Sequence, residues 1–354
     1  MASIMTNASA LTALQSLNAT NKSLEQTQAR ISTGYRVADA ADNAAYWSIA
    51  TTMRSDNQAL STVQDALGLG ASKVDTAYTG MNNAITVADQ IKVKLVAAFN
   101  ASDSDKAKIQ TEIKSLQAQV KSYADAATFS GANFLSVTSK QVAAANDGVQ
   151  QDAQIVSSFN RSSSGAVTLG TIDIDVEGTK LFDSGLATEV KNQGLLDRAT
   201  SIYSTAADQK LYDDAYSAQI ALGKSDKDAH AAAILVATST DKVDNVSLYN
   251  IDITAPGVTN DIINQMITKA DNVLNQLTDA ATVLGSAKKQ IDLQKTFTQS
   301  LMDSIDRGVG QLVDADMNKE STRLQALQVQ QQLGIQALSI ANSNSQNILA
   351  LFKS

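Results

Sequence analysis

The stretch IATTMRSDNQALSTVQDALGLGASKVDTAYTGMNNAITVADQIKVKL (49–95) decides the fold. Ile49, Met53, Asp56, Leu60, Val63, Leu67, Gly70, Val74, Ala77, Met81, Ala84, Ala88, Ile91 and Leu95 recur at alternating spacings of four and three, without a proline. This is the heptad signature of a helix that packs along a partner helix. At about 1.5 Å per residue the stretch spans ~70 Å, far beyond an ordinary globular helix. Gly68 and Gly70 are expected to weaken it locally.

Outward from this stripe, a second and shorter helix follows. Ile109, Ile113, Leu116, Val120 and Tyr123 share one face, Ser102 or Asp103 is the N-cap candidate, and the helix is expected to fold back on the first. Toward the other end, Met266, Ala270, Val273, Leu277, Ala281, Leu284, Ala287, Ile291, Leu301, Ile305 and Leu312 form another long stripe. It begins just after TAPGVTND (254–261), where the chain's one proline, Pro256, permits a helix to start.

Between these flanks the pattern changes. VTLGTIDIDVEG (167–178) and VSLYNIDITAP (246–256) alternate apolar and polar residues as strands do, and the Ala-rich segment 186–240 reads as helix. FSGANFL, within 128–140, reads as a turn with a short strand. Residues 141–258 are therefore expected to form a small α+β insert, with strands 167–176 and 246–254 pairing to bring its ends together.

Composition agrees with a mainly helical protein. Aromatics are 5% and histidine occurs once, so an aromatic-rich enzyme core is not expected. Cysteine is absent, which removes disulfides, thiolate metal sites and cysteine nucleophiles. The net charge of −8 argues against nucleic acid. Residues 141–258 carry 16 acidic and 8 basic side chains, so the insert holds the whole imbalance and the flanks are neutral. No apolar run reaches the ~20 residues of a membrane span, and no basic-then-apolar leader opens the chain, so neither membrane insertion nor a cleaved signal is expected.

The extreme ends differ from the long helices. Residues 1–29 hold only Lys22 and Glu25 as charged side chains, and 324–352 hold none. Amphipathic repeats run through both: Ile4, Ala10, Leu11, Leu14, Leu17, Leu24 and Ile31 at one end, and Leu324, Leu327, Leu338, Ala341, Ile348 and Phe352 at the other, with Leu333 and Ile340 on a second stripe. Such thin stripes are expected to need a partner to hold them.

Both flanks resemble bacterial flagellins. NASALTALQSLNATNKSLEQTQARISTGYRVADAADNAAYWSIATTMRSD (7–56) carries the family's R-I-S-T-G turn and Asp-Asn-Ala-Ala step, and VDADMNKESTRLQALQVQQQLGIQALSIANSNSQNILALF (313–352) carries its D-A-D, Gln-rich and Q-N-I-L-x-L-F closing pattern. With Tyr46-Trp47-Ser48 in place, the first motif looks most like rhizobial and other alphaproteobacterial members. The resemblance implies a mainly α fold, a long antiparallel coiled-coil bundle made by the two flanks, with the small α+β insert displayed outside. It implies an inner coiled coil of 1–42 with 313–354, a helical layer of 43–140 with 259–312, and a variable outer part at 141–258. It also implies no enzymatic activity and no cofactor. The partners would be further flagellin subunits, the flagellar type III export apparatus with its chaperone, and hook-associated and cap proteins, in a secreted filament used for swimming.

On that reading the terminal stripes, with Leu333 and Ile340, would drive polymerisation. Ile49, Met53, Leu60, Val63, Leu67, Val74, Met81, Ile91, Leu95, Leu277, Leu284, Ile291, Leu301 and Ile305 would hold the longer coiled coil. Gly34 would turn the chain between them, with Arg30, Arg36, Asp39 and Asp42 supplying charges at the turn. A hook–filament junction protein of the same superfamily and an unrelated coiled-coil adaptor are the competing readings.

Other signals carry less. His230 has no second histidine or cysteine to act with, so it is read as a surface helix residue, and no zinc-protease motif can be built from it. Gly223-Lys224-Ser225 resembles the end of a phosphate loop but lacks the required upstream glycine. Asp173, Asp175 and Glu177 alternate without closing a calcium loop. Many enterobacterial flagellins carry Q-R-x-R-E-L where the animal flagellin receptor binds. Gln90, Ile91, Lys92, Val93, Lys94 and Leu95 stand here instead, so weak or no activation of that receptor is expected. The segment recognised by plants also departs from its usual form between Ala38 and Tyr46.

Overall fold

The computed structural model describes residues 7–139, 151–162, 164–185, 193–203, 206–222, 229, 233 and 242–353. The expected mainly helical fold with a small strand-and-helix insert is found. Helix α1 spans Ala8–Thr33, α2 Ala44–Ala98 and α3 Asp103–Ala126. Three two-residue strands follow α3, the insert contributes five more strands and helix α4 (Ala206–Ala221), and helices α5 (Asn260–Val313) and α6 (Met317–Lys353) close the chain.

Short polar side chains start these helices. Asn7 accepts from Ala10 N, Asn43 from Ala45 N and Tyr46 N, Ser102 from Asp105 N, Thr259 from Ile262 N, and Asp316 from Asn318 N. Asp103, Asp105 and Asp261 also place negative charge in first turns, where the helix dipole favours it. Gly34, at φ 76°, ends α1 in the left-handed conformation, with its N–H bonded to Arg30 O.

The chain divides into two compact units: residues 1–61 with 299–354, and residues 62–298. Within the second, α2 and α5 run antiparallel, as the ion pairs Asp75–Lys288 and Lys92–Asp271 and the bond from Asn260 to Asn100 require. Leu67, Val74, Met81, Ile91 and Leu95 of α2 are buried with Ile113 and Val120 of α3 and with Met266, Leu277, Leu284 and Ile291 of α5. The heptad series therefore marks a packed face from Leu60 onward. Ile49 departs from it: it is 49% exposed, and Ala50 takes the inward position.

The insert shares this core. Ile155, Ile172, Ile174, Leu181, Phe182, Ile202, Leu248, Ile251 and Ile253 join the same apolar cluster. Strand pairing corrects the sequence expectation. β5 (Val167–Ile174) pairs antiparallel with β4 (Ala153–Arg161), and β8 (Lys242–Val246) pairs with β7 (Thr200–Tyr203). β1 (Thr128–Phe129) and β2 (Ala132–Asn133) form a tight hairpin through Ser130 and Gly131, both at positive φ, and β3 (Ser136–Val137) lies parallel to β6 (Phe182–Asp183).

Residues 247–254 are not a strand, although Ile251 and Ile253 are buried on either side of the more exposed Asp252. Their backbone is satisfied by side chains. Gln110 Nε2 donates to Ile251 O (3.0 Å) while Gln110 Oε1 accepts from Ile253 N (2.9 Å), and Gln117 Nε2 donates to Leu248 O (3.1 Å). Two buried glutamines on α3 thus supply the bonds a partner strand would have supplied. Of the expected helix over 186–240, α4 is found, and β7 lies N-terminal to it; most of the remainder, including His230 and Gly223 to Ser225, lies outside the described residues.

Candidate assembly interface

Helices α1 and α6 form an antiparallel pair, and its register is fixed by bonds along its length. Asn7 Nδ2 donates to Ala341 O (2.9 Å), Gln331 Nε2 to Asn21 Oδ1 (2.8 Å), and Arg30 pairs with Glu320 (3.4 Å). At the turn, Tyr35 bridges Asp314, Arg36 N and Val37 N both donate to Val313 O, and Ala315 N donates to Gly34 O. Uncharged amides can make these bonds without the desolvation cost of buried ions.

The inward faces are narrow. Leu17, Leu24 and Ile31 of α1 are half-buried, as are Leu324 and Leu338 of α6, and Leu327 is buried. A Cβ on Gly334 would lie 3.1 Å from Leu17 Cδ1, so the two helices approach closely there. Leu14 does not sit with Leu17. It is 47% exposed, and Ala13 takes the inward turn; Thr27 is buried on the same face. Small and hydroxylic residues on this face escaped an apolar pattern search.

The outward faces also carry apolar side chains. Leu11 is 61% exposed, and Val329, Leu333, Ile335 and Ile340 of α6 are all more than half exposed. Val329 and Ile335 were missed in the sequence, although Val329 lies one helical turn before Leu333 and could have been found by that spacing. Ile4 lies outside the described residues, and Ile348 and Phe352 fall on the last turns of α6.

Below the pair, Val37, Ala50, Val309 and Val313 form a small core with Met53, Ile305 and Leu312 against it, and Leu301 lies at 36% exposure. Of the turn charges, Arg30 pairs with Glu320 of α6. Arg36 Nη2 donates to Leu312 O (2.8 Å), the Arg54 guanidinium stands 4.7 Å over the Tyr35 ring, and Asp42 accepts from Ala38 N. In the receptor-related stretch, Ile91 and Leu95 are buried, Lys92 pairs with Asp271, Lys94 with Glu112, and Val93 is 57% exposed.

Acidic side chains of the insert make local contacts. Asp175 accepts from Gly178 N, and Glu177 and Asp183 both pair with the buried Lys180. The Asp183 carboxyl is held below its usual range despite its burial, by bonds from Lys180, Ser139 and Gly185. Lys269 of α5 bonds Thr200 Oγ1 of β7. Burial first, and Arg198 second, push its amine down to about 8, and Asp213 offsets part of that. Among the described residues no helix is long and apolar enough to cross a membrane.

Comparison with known proteins gives two family matches. The bacterial flagellin N-terminal helical region matches residues 4–140, and the bacterial flagellin C-terminal helical region matches residues 267–352. The chain is 47% identical over 358 residues to Flagellin C of Rhizobium meliloti (strain 1021) and 45% identical over 407 residues to Flagellin A of the same strain. It is 45% identical over 353 residues to a flagellin of Brucella melitensis biotype 1. In each case all of both chains is covered.

Proposed function

The chain belongs to the bacterial flagellin family and is a structural subunit of the flagellar filament, outside the cell, and from that premise we propose how its parts divide the work. Residues 1–42 with 313–354 form the inner coiled coil through which copies join. Residues 43–140 with 259–312 form the layer around it, and residues 141–258 face the surroundings. The acidic balance of the insert supports the outer assignment, since like charge keeps exposed surfaces apart.

The observation that carries the assembly reading is the exposed apolar surface on the outward faces of α1 and α6, in stretches, 1–21 and 324–352, that hold no charged side chain. Removing it from water contributes about 25 cal/mol per Å², and a contact between different surfaces of successive copies gives an open helical polymer. Leu11, Leu14, Leu333 and Ile340 carry this work, Leu17, Leu24, Ile31, Leu324, Leu327 and Leu338 hold together the helix pair that presents them, and Ile4, Ile348 and Phe352 extend the stripes. No catalytic chemistry is assigned to the chain. It leaves the cell through the flagellar export apparatus with a chaperone, and meets hook-associated and cap proteins at the filament ends.

No observation favours a junction protein or an adaptor. The test is growth from sheared filament ends, followed by electron microscopy. The full chain elongates the seeds, and a variant lacking 324–354 does not. Elongation by the truncated chain, or small closed oligomers from the full one, overturns the reading.

A further inference from the structure

Where β3 lies beside β6, a lysine and an aspartate are buried together. Lys180 Nζ stands 2.8 Å from Asp183 Oδ2 and 2.8 Å from Glu177 Oε2, and the Lys180 side chain is 1% exposed, that of Asp183 0% and that of Glu177 25%. The backbone N–H groups of Ser139 and Gly185 each donate to Asp183 Oδ1 at 2.9 Å, and the Ser139 hydroxyl donates to Oδ2. A Cβ on Gly185 would collide with the Ser139 backbone, so only glycine lets this cradle close. The segment is pinned from both sides: Leu181 N and Phe182 N donate to Leu135 O, while Lys180 O and Leu181 O accept from Leu195 N and Leu196 N.

These are the parts of an acyl condensation. An amine touches a carboxyl group, two fixed N–H donors face the oxygen that would gain charge, and a second carboxylate sits on the amine to move its protons. Burial adds a driving force. Two ions out of water cost free energy that a neutral amide does not, and the one water released has a way out past the partly exposed Glu177.

We propose that Lys180 and Asp183 condense in the folded chain into an amide crosslink between Nζ and Cγ, formed without enzyme or cofactor. An ammonium and a carboxylate together hold the atoms of an amide and one water, so no other reactant is needed. One proton passes from Nζ to Oδ2 along their hydrogen bond. Nζ then bonds to Cγ while Oδ1 takes the negative charge between the Ser139 and Gly185 N–H groups. Glu177 accepts a second proton from the nitrogen and returns it to Oδ2, the Cγ–Oδ2 bond breaks, and Oδ2 leaves as water. Ser139 is 44 positions from Asp183, so the cradle exists only after folding, and the bond fixes the segment that holds β3 and residues 194–196 together. This goes beyond the assembly reading and does not depend on it.

The test is tryptic mapping of the folded full-length chain by mass spectrometry. Trypsin does not cut after an acylated lysine, so residues 162–191 are expected as one peptide, lighter than their sequence by one water, with fragment ions joining Lys180 to Asp183. K180R is expected to abolish the link. E177Q, at the rim of the site, is expected to slow its formation after refolding from denaturant by about a hundredfold, with circular dichroism showing that the chain has refolded. Cleavage after Lys180 with ordinary masses in the unsubstituted chain overturns the proposal. So does a missing water that hydroxylamine treatment converts to a hydroxamate, the mark of a cyclic imide at an aspartate, and so does an E177Q chain that links as fast as the unsubstituted one.

Discussion

Ile155 of the insert seats its side chain on the bare backbone of Gly70 in α2. A Cβ on Gly70 would lie 2.5 Å from Ile155 Cγ2 and 2.6 Å from its Cδ1. The glycine that lowers helix propensity in the heptad series is the place where the β4–β5 hairpin docks.

Gly70→Ala is therefore expected to destabilise the protein by about 1–3 kcal/mol through overpacking, against a helix-propensity gain of up to about 1 kcal/mol. Urea unfolding of the monomer measures it. Combining the change with Ile155→Ala, which removes the obstructing atoms, is expected to make the Gly70 substitution neutral or favourable; an equally large loss in that background contradicts the docking.

Gln117→Leu leaves Leu248 O without its glutamine donor and Gln110→Leu orphans Ile253 N, while Ile251 O, which accepts from both glutamines, keeps one donor in either variant. Each is expected to cost about 1–3 kcal/mol and to raise amide exchange in 247–254. Unchanged exchange there would mean that water replaces the glutamines.

Lys269 sets a pH dependence. Its folded value of about 8 lies below the usual 10.5, so the unfolded chain binds more protons between those values. Stability attributable to this site therefore rises as pH increases from about 8 toward 10.5, and below about 8 the cost of burying the charge is present in full, on the order of 3 kcal/mol. Lys269→Met is expected to remove that slope from urea unfolding measured at pH 7 to 10. Lys92 and Lys288, raised by their carboxylate partners, act in the opposite sense above 10.5.

Purified monomer is expected to activate the animal flagellin receptor weakly or not at all in reporter cells. Gln90 to Leu95 lack both arginines and the glutamate of the recognised pattern, and Lys92 and Lys94 are engaged with Asp271 and Glu112. A response equal to that of an enterobacterial flagellin would refute this.

The helices were legible because burial along them repeats with the period of the chain itself: Leu67, Val74, Met81, Ile91 and Leu95 appear at the expected spacings and are buried. The insert was less legible because its bonds are made across long separations. Nothing local to 247–254 says that glutamines of α3 take the place of a strand, and nothing near Gly70 announces Ile155. On the terminal helices the apolar residues were visible, but their division into inward and outward faces was not. Ala13 and Thr27 define the inward face of α1, and small or hydroxylic residues leave no mark on a hydrophobicity pattern.

The bond from Asn7 to Ala341 joins residues 334 positions apart. The first helix of the chain is thus completed by the last, and while the polypeptide is being made α1 has no mate. Closing so long a loop is entropically the most demanding step available to this fold. Chain order itself acts as a clock: a chain truncated before α6 lacks the partner of α1, and the pair closes only once the last helix has followed the first.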